Sequence, residues 1–221
     1  GESAVEAMKA ALQNADPEIR EIAVKILGLI GSESVMNPLI TALSDEDSQV
    51  RKYAAEALGG IGDKSALESL AAALQDENSD VCCAAADALG AIGDAGSVDV
   101  LSQAMRDDRV KGHAADALVK IGGESAFNAL IDALQDESIE YKDSVVEALG
   151  ELGDQRAVTP LAELLINASQ YSAKIIAEAI VKLGPEDAVD SMLALLDAKE
   201  TYTRFYAASV LAAANDSRAA E

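Results

Sequence analysis

The chain has 221 residues, half of them hydrophobic but only 3% aromatic, with no tryptophan. Its 39 acidic residues outnumber 17 basic ones and give a formal charge of −22, which disfavours duplex DNA, RNA and anionic membrane surfaces. No run of roughly 18 apolar residues is present, so nothing reads as a membrane span.

The chain opens on Gly1-Glu2-Ser3-Ala4-Val5, which matches Gly123-Glu124-Ser125-Ala126-Phe127 further along. Ala23, Leu27 and Ile30 then recur at helical spacing up to Gly31, where a helix should stop in a left-handed cap. The next stretch predicts a first helix on Val35, Met36, Leu39, Ala42 and Leu43, an acidic turn Ser44-Asp45-Glu46-Asp47, and a second helix from Val50 to Gly62. That sentence is rewritten downstream. Ala66, Leu67, Leu70, Ala73 and Leu74 precede the turn Gln75-Asp76-Glu77-Asn78 and a stop at Gly93. The next unit stops at Gly122, two residues early, and the loss falls between Met105 and Val110, where a shortened turn with both helices intact is expected. Ala126, Phe127, Leu130, Ala133 and Leu134 open the unit that stops at Gly153. Further stops follow at Gly184 and at Asn215, and Asp216-Ser217-Arg218-Ala219-Ala220 then copies Asp154-Gln155-Arg156-Ala157-Val158. Neither end carries a polar capping unit, so a piece of a longer protein is expected.

The stops recur every 31 residues, with one interval of 29. Four residues before them stand Leu27, Leu58, Leu89, Leu118, Leu149, Ile180 and Leu211; eight before stand Ala23, Ala54, Ala85, Ala114, Val145, Ile176 and Ala207. Such a period marks an array of helical hairpins, each too small to fold alone and each covering its neighbour. Asp, Ser and Asn in the turns are placed to cap the second helices. Small residues such as Ala54, Ala55 and Ala57 let helix axes approach closely.

The V-R-x-x-A-A-x-A-L-G-x-I-G-D pattern, best kept from Val50 to Asp63, resembles the HEAT-like repeats of the subtype named for phycobilisome lyases. The resemblance implies an all-α fold, a right-handed α-solenoid of seven hairpins. Its repeats would span 1–31, 32–62, 63–93, 94–122, 123–153, 154–184 and 185–215, with a further start at 216–221, in one domain 1–221. It implies that the second helices line the concave side. It also implies that a cation after the turn pairs with acidic turn residues: here Arg20, Arg51, Lys111, Lys142 and Arg204, with Cys82 and Ala173 as exceptions that predict weaker seams near repeats three and six.

Along the second helices the varied columns are expected to face outward, where recognition is usually placed. They contain an acidic row, Glu56, Asp87, Asp116, Glu147 and Glu178, which is either a solvated face or a ladder for basic side chains. They also contain Tyr53, and near the C-terminus stands an apolar and aromatic group of Tyr171, Ile175, Tyr202, Phe205 and Tyr206, rings of the kind that anchor interfaces, which contact with a partner, with a second copy or with a further repeat would explain. His113, the one histidine, has Asp116 one turn on and Asp87 and Cys83 in the preceding unit. An ordinary surface histidine, a metal ligand and an acid–base group all fit that position.

Cys82 and Cys83 are adjacent, and a disulfide between them would be strained; a reduced, cytoplasmic setting follows. They read as small filler, with soft-metal binding or oxidation sensing as the alternative. No Gly-rich phosphate loop, G-x-S-x-G, H-E-x-x-H or C-x-x-C is present. The expected function is a non-enzymatic scaffold without cofactor or metal. It would bind a protein or peptide, a basic one suiting the charge, with self-association through the C-terminal rings as a further outcome. The resemblance adds two alternatives: a bilin lyase-like subunit, and a regulatory array cut from a larger enzyme.

Overall fold

The computed structural model describes residues 2–139 and 142–214, and their regular structure is helical throughout. Asn215, the copied segment at 216–221 and Gly1 lie outside the described residues. Two compact units meet in sequence between Ala126 and Phe127.

The first unit holds α1 (Glu2–Ala11), α2 (Pro17–Ile30), α3 (Met36–Ala42), α4 (Ser48–Ile61), α5 (Leu67–Ala73), α6 (Ser79–Ile92), α7 (Val98–Ala104) and α8 (Lys111–Ile121). The second helices α2, α4 and α6 start where the turn supplies a cap. Asp16 accepts from the Glu18 amide, Asp47 from Gln49 and Val50, and Asn78 from Asp80; each such cap is worth about 1 kcal/mol. Each stops at its glycine, Gly62 for example holding φ 76°, which a β-carbon would strain. After Gly62 and Gly93 an Asp then caps a short 3-10 turn leading into the next first helix, Asp63 accepting from the Ser65 amide and Asp94 from Gly96. The repeat of 29 residues departs from expectation. The two lost residues remove the first turn of the second helix, so α8 has 11 residues where α4 and α6 have 14, and Val110 precedes it without a side-chain cap.

The second helices α2, α4, α6 and α8 pack side by side, each also resting on its own first helix. Leu27, Leu58, Leu89 and Leu118 are fully buried between them, and each contributes roughly 1.5–3 kcal/mol. The helices touch at glycines: a β-carbon on Gly59 would lie 2.7 Å from Ala88 Cα, and one on Gly90 2.7 Å from Ala117 Cα.

The second unit contains α10 (Asp143–Leu152), α11 (Val158–Leu165), α12 (Gln170–Leu183), α13 (Val189–Leu195) and α14 (Thr201–Ala214). The division between the units falls within the first turns of α9 (Gly123–Gln135), which runs as one helix with no 3-10 opener. Helices α10, α12 and α14 repeat the side-by-side packing over Leu149, Ile180 and Leu211, with α11 and α13 behind α12 and α14. The Arg156 guanidinium sits 4.3 Å from the centre of the Phe127 ring.

The basic column stitches the turns. Arg20 pairs with Asp45 of the next repeat at 2.9 and 2.7 Å, and Arg51 pairs with Asp76 at 2.8 and 2.9 Å. Burial pushes the Asp45 carboxyl up, but the Arg20 bonds, the Asp47 amide and the Arg20 and Arg51 charges together hold it below the usual carboxylate range. Asp76 is likewise held low against its burial, by Arg51, the Asn78 amide and the charge of Arg109. Lys111 reaches Asp108 at 2.7 Å, and Lys142 the Leu134 carbonyl at 2.6 Å.

Candidate partner-binding face

In the first unit the side-by-side second helices bring Glu56, Asp87 and Asp116 to one height on one face. Glu56 and Asp116 are exposed and Asp87 is half-buried. The acidic row is not bare. Lys52 lies 4.0 Å from Glu56, and Asp87 faces His113 Nδ1 at 3.1 Å and Lys120 Nζ at 3.7 Å. In the first repeat the same height carries Lys25, whose ammonium sits 3.6 Å from the centre of the Tyr53 ring; a cation so placed gains about 0.5–1 kcal/mol.

The two contacts share a register. Lys25 and Asp87 occupy one column, Tyr53 and His113 another, and each side chain of the second column leans back on the preceding repeat. Between the helices runs an open groove of roughly 330 Å³, lined by Lys52, Glu56, Asp80, Cys83, Ala84, Asp87 and His113. Its walls carry three carboxylates, an ammonium and an imidazole, suited to binding a cationic side chain.

The cysteines beside this groove are quiet. Cys82 is buried and donates its thiol proton to the Asp76 carbonyl at 3.1 Å; Cys83 is half-buried and donates to the Arg109 carbonyl at 3.4 Å. Burial pushes both thiols up, away from the reactive thiolate. Among the described residues no three or more His, Cys, Asp or Glu side chains converge as a metal would need.

In the second unit Phe205 is 65% exposed, and its ring meets Tyr206 edge-on with centres 5.1 Å apart. Both line a groove of roughly 540 Å³ between α12 and α14, with Ala177, Val181 and Ala213 as apolar walls and Lys174, Glu178 and Lys182 on the rim. Glu178 lies 3.7 Å from Lys174. Glu147 is exposed on α10, and Tyr171 is exposed at the start of α12 outside the groove lining.

Two members of the expected aromatic group behave otherwise. Ile175 shares the column of Tyr53 and His113 but is 8% exposed. That column flanks the seam with the preceding second helix, so a hydrocarbon there is covered instead of facing outward. Tyr202 is half-buried, and its hydroxyl donates to the Ala168 carbonyl at 3.3 Å. Conversely, Val181 was not among the varied columns. Its signal was a branched residue where Gly28, Gly59, Gly90 and Gly150 stand in other repeats.

No helix of the described residues is long and apolar enough to cross a membrane. The family model for HEAT repeats matches residues 36–111 and again 106–178, well over half the chain. No curated protein is similar enough in sequence to count as a relative. Among solved structures, the complex of CpcE and CpcF of phycocyanin lyase from a Nostoc species is 21% identical, with 96% of this chain and 88% of that chain covered and a TM-score of 0.58. YibA of Escherichia coli is 21% identical over 96% of this chain and 82% of that one, with a TM-score of 0.59. A mutant of Kap121p reaches a TM-score of 0.70 at 13% identity, with 97% of this chain but 29% of that chain covered. At such identities these likenesses speak for the fold alone.

Proposed function

The chain belongs to the HEAT-repeat family, and on that premise we propose that it is a non-enzymatic scaffold holding a protein or peptide on the face formed by its second helices. The observation that carries this is the apolar groove of α12 and α14. It leaves Phe205 exposed in a chain with only two phenylalanines and five tyrosines. Exposed rings beside a groove are the anchors that interfaces prefer. The acidic groove over α4, α6 and α8 suits a lysine or arginine of the partner. The similar phycocyanin lyase structure is a complex of CpcE and CpcF, in keeping with a protein partner here.

The test is capture by the intact chain, repeated with Phe205→Ala/Tyr206→Ala and separately with Glu56→Gln/Asp87→Asn. Loss on the aromatic changes is expected. Binding that survives them and disappears only with the acidic changes would move the anchor to the first unit, and retention of no protein or peptide at all would remove the scaffold. If the rings serve self-association, the aromatic variant instead elutes later in size-exclusion chromatography at equal concentration. A bilin lyase-like role has the likeness to the phycocyanin lyase structure in its favour. Mixing with bilin and finding its absorbance unchanged would remove that alternative.

A further inference from the structure

Three arginines of the basic column make the same bond. Arg20, Arg51 and Arg204 each donate through Nη1 to the carbonyls six and five residues earlier: Asn14 and Ala15, Asp45 and Glu46, Ala198 and Lys199, all at 2.7–3.3 Å. Neither other member of the column carries a guanidinium: Ala173 has no donor, and Cys82 offers the Asp76 carbonyl only its thiol, at 3.1 Å. The carbonyls they would serve are nevertheless occupied. Arg109 donates through Nη1 to Asp76 and Glu77, at 3.2 and 3.3 Å, which are the carbonyls six and five residues before Cys82. It also holds Asp107 through Nε and Nη2, at 3.1 and 2.7 Å. One guanidinium thus joins the turn of repeat three to the turn of repeat four, as Arg51 joins turns two and three, but it is anchored from the far side. The Tyr202 hydroxyl bonds Ala168, the carbonyl five residues before Ala173. Both donors lie two residues ahead of the basic position of the following repeat, Arg109 before Lys111 and Tyr202 before Arg204.

We propose that Arg109 and Tyr202 are substitute seam locks, each supplied by the following repeat to a turn that lacks its own cation, and that the Arg109 lock is the releasable one. The expected weak seams at repeats three and six are therefore bridged. The locks differ in access: the Arg109 side chain is 43% exposed, against 10% for Arg51 and 6% for Arg20. The carboxylate bonded to Arg109, Asp107, belongs to its own turn; across the seam Arg109 bonds two carbonyls and attracts the Asp76 carboxylate. An attraction that runs through an exposed side chain is screened by salt, whereas a buried one is screened far less. The seam between α6 and α8 therefore loosens first as ionic strength rises. The acidic groove lies over that seam, with Cys83 and Asp87 on one side and His113 on the other, so releasing Arg109 changes the groove's width.

Hydrogen exchange by mass spectrometry on the whole chain tests the locks. Arg109→Ala should speed exchange of the amides from Asp76 to Cys82 roughly tenfold, the worth of a charged hydrogen bond, and leave those of the α2–α4 seam unchanged. Adding Cys82→Arg to that variant should restore protection, because the new guanidinium then finds its carbonyls vacant. Cys82→Arg alone should bring none, because Arg109 fills the place. Unchanged exchange in Arg109→Ala, or no rescue in the double variant, would overturn the assignment. Should Arg109→Ala fail to fold, the natural chain between low and high salt decides: faster exchange confined to the α6–α8 seam supports releasability, and equal acceleration at both seams refutes it. Tyr202→Phe should speed exchange at the start of α12 about fivefold, for one neutral hydrogen bond lost. No change there removes Tyr202 from the scheme.

Discussion

Adjacent glycines on α4 should respond to the same substitution with opposite sign. In a helix interior alanine is favoured over glycine by about 0.8–1 kcal/mol, since it loses less backbone freedom on folding. Gly60 faces open space, with no atom within 4 Å of the added β-carbon, so Gly60→Ala should realise that whole gain. Gly59 lies one residue earlier but points into the seam, where the β-carbon would stand 2.7 Å from Ala88 Cα and 2.8 Å from its Cβ. Backbone cannot swing aside as a side-chain tip can, so α4 and α6 must separate. Overpacking of this kind costs about 1–3 kcal/mol. After the helix gain is subtracted, Gly59→Ala should lose up to about 2 kcal/mol. For a chain of this length that is a fall in Tm of up to about 8 °C for Gly59→Ala against a rise of about 2–4 °C for Gly60→Ala. Urea and thermal unfolding followed by circular dichroism measure both. Equal effects from the two substitutions, or a stabilised Gly59→Ala, would refute the close helix contact.

The buried ion pair gives a second test: Asp76→Ala leaves the Arg51 guanidinium without its carboxylate in a site where both side chains are nearly buried, and urea unfolding should register a loss of about 2–3 kcal/mol. Acid should act through the same groups. Asp45, Asp76 and Asp107 are all held below the usual carboxylate range, so the stability they confer is complete above the unfolded value near 3.9 and disappears as pH falls through their lower folded values. The urea midpoint should hold steady from pH 7 to about 5 and drop steeply below about 4, with Asp76→Asn flattening part of that drop; a midpoint already falling between pH 7 and 6 would point to other groups. The raised thiols should make Cys82 and Cys83 slow toward a disulfide reagent at neutral pH, and rapid labelling of the folded chain would contradict their burial.

Much of the architecture was legible because each unit carries its own punctuation. Asp47 and Asn78 announce where a second helix begins, and Gly62 and Gly93 where it ends. The core columns then follow from helical spacing, and Leu58 and Leu89 are as buried as that spacing demands. What escaped were relations between repeats. The column shared by Tyr53, His113 and Ile175 looks outward on a single helix, but its burial depends on how closely the preceding helix covers it. Tyr202 looked like a free ring because nothing near it in sequence reveals the unserved carbonyl of Ala168. Arg109 could be noticed only once α8 proved to lack its first turn. Within the first unit Glu56, Asp87 and Asp116 share one height, yet the partial neutralisation of Asp87 rests on Lys120, 33 residues away.

The place taken by Val181 bears on how such a surface is adjusted. At Gly28, Gly59, Gly90 and Gly150 a glycine meets an alanine across the seam, as Gly59 meets Ala88 and Gly150 meets Ala179, whereas Val181 has Val210 in the opposing column. Branched side chains keep two rods farther apart than bare backbone does. Val181 is thus both a spacer between α12 and α14 and a wall of the groove that Phe205 and Tyr206 line, with Val210 buried in the opposing column as the second spacer. Trading those spacers for smaller ones would retune what the groove admits and leave both rings untouched.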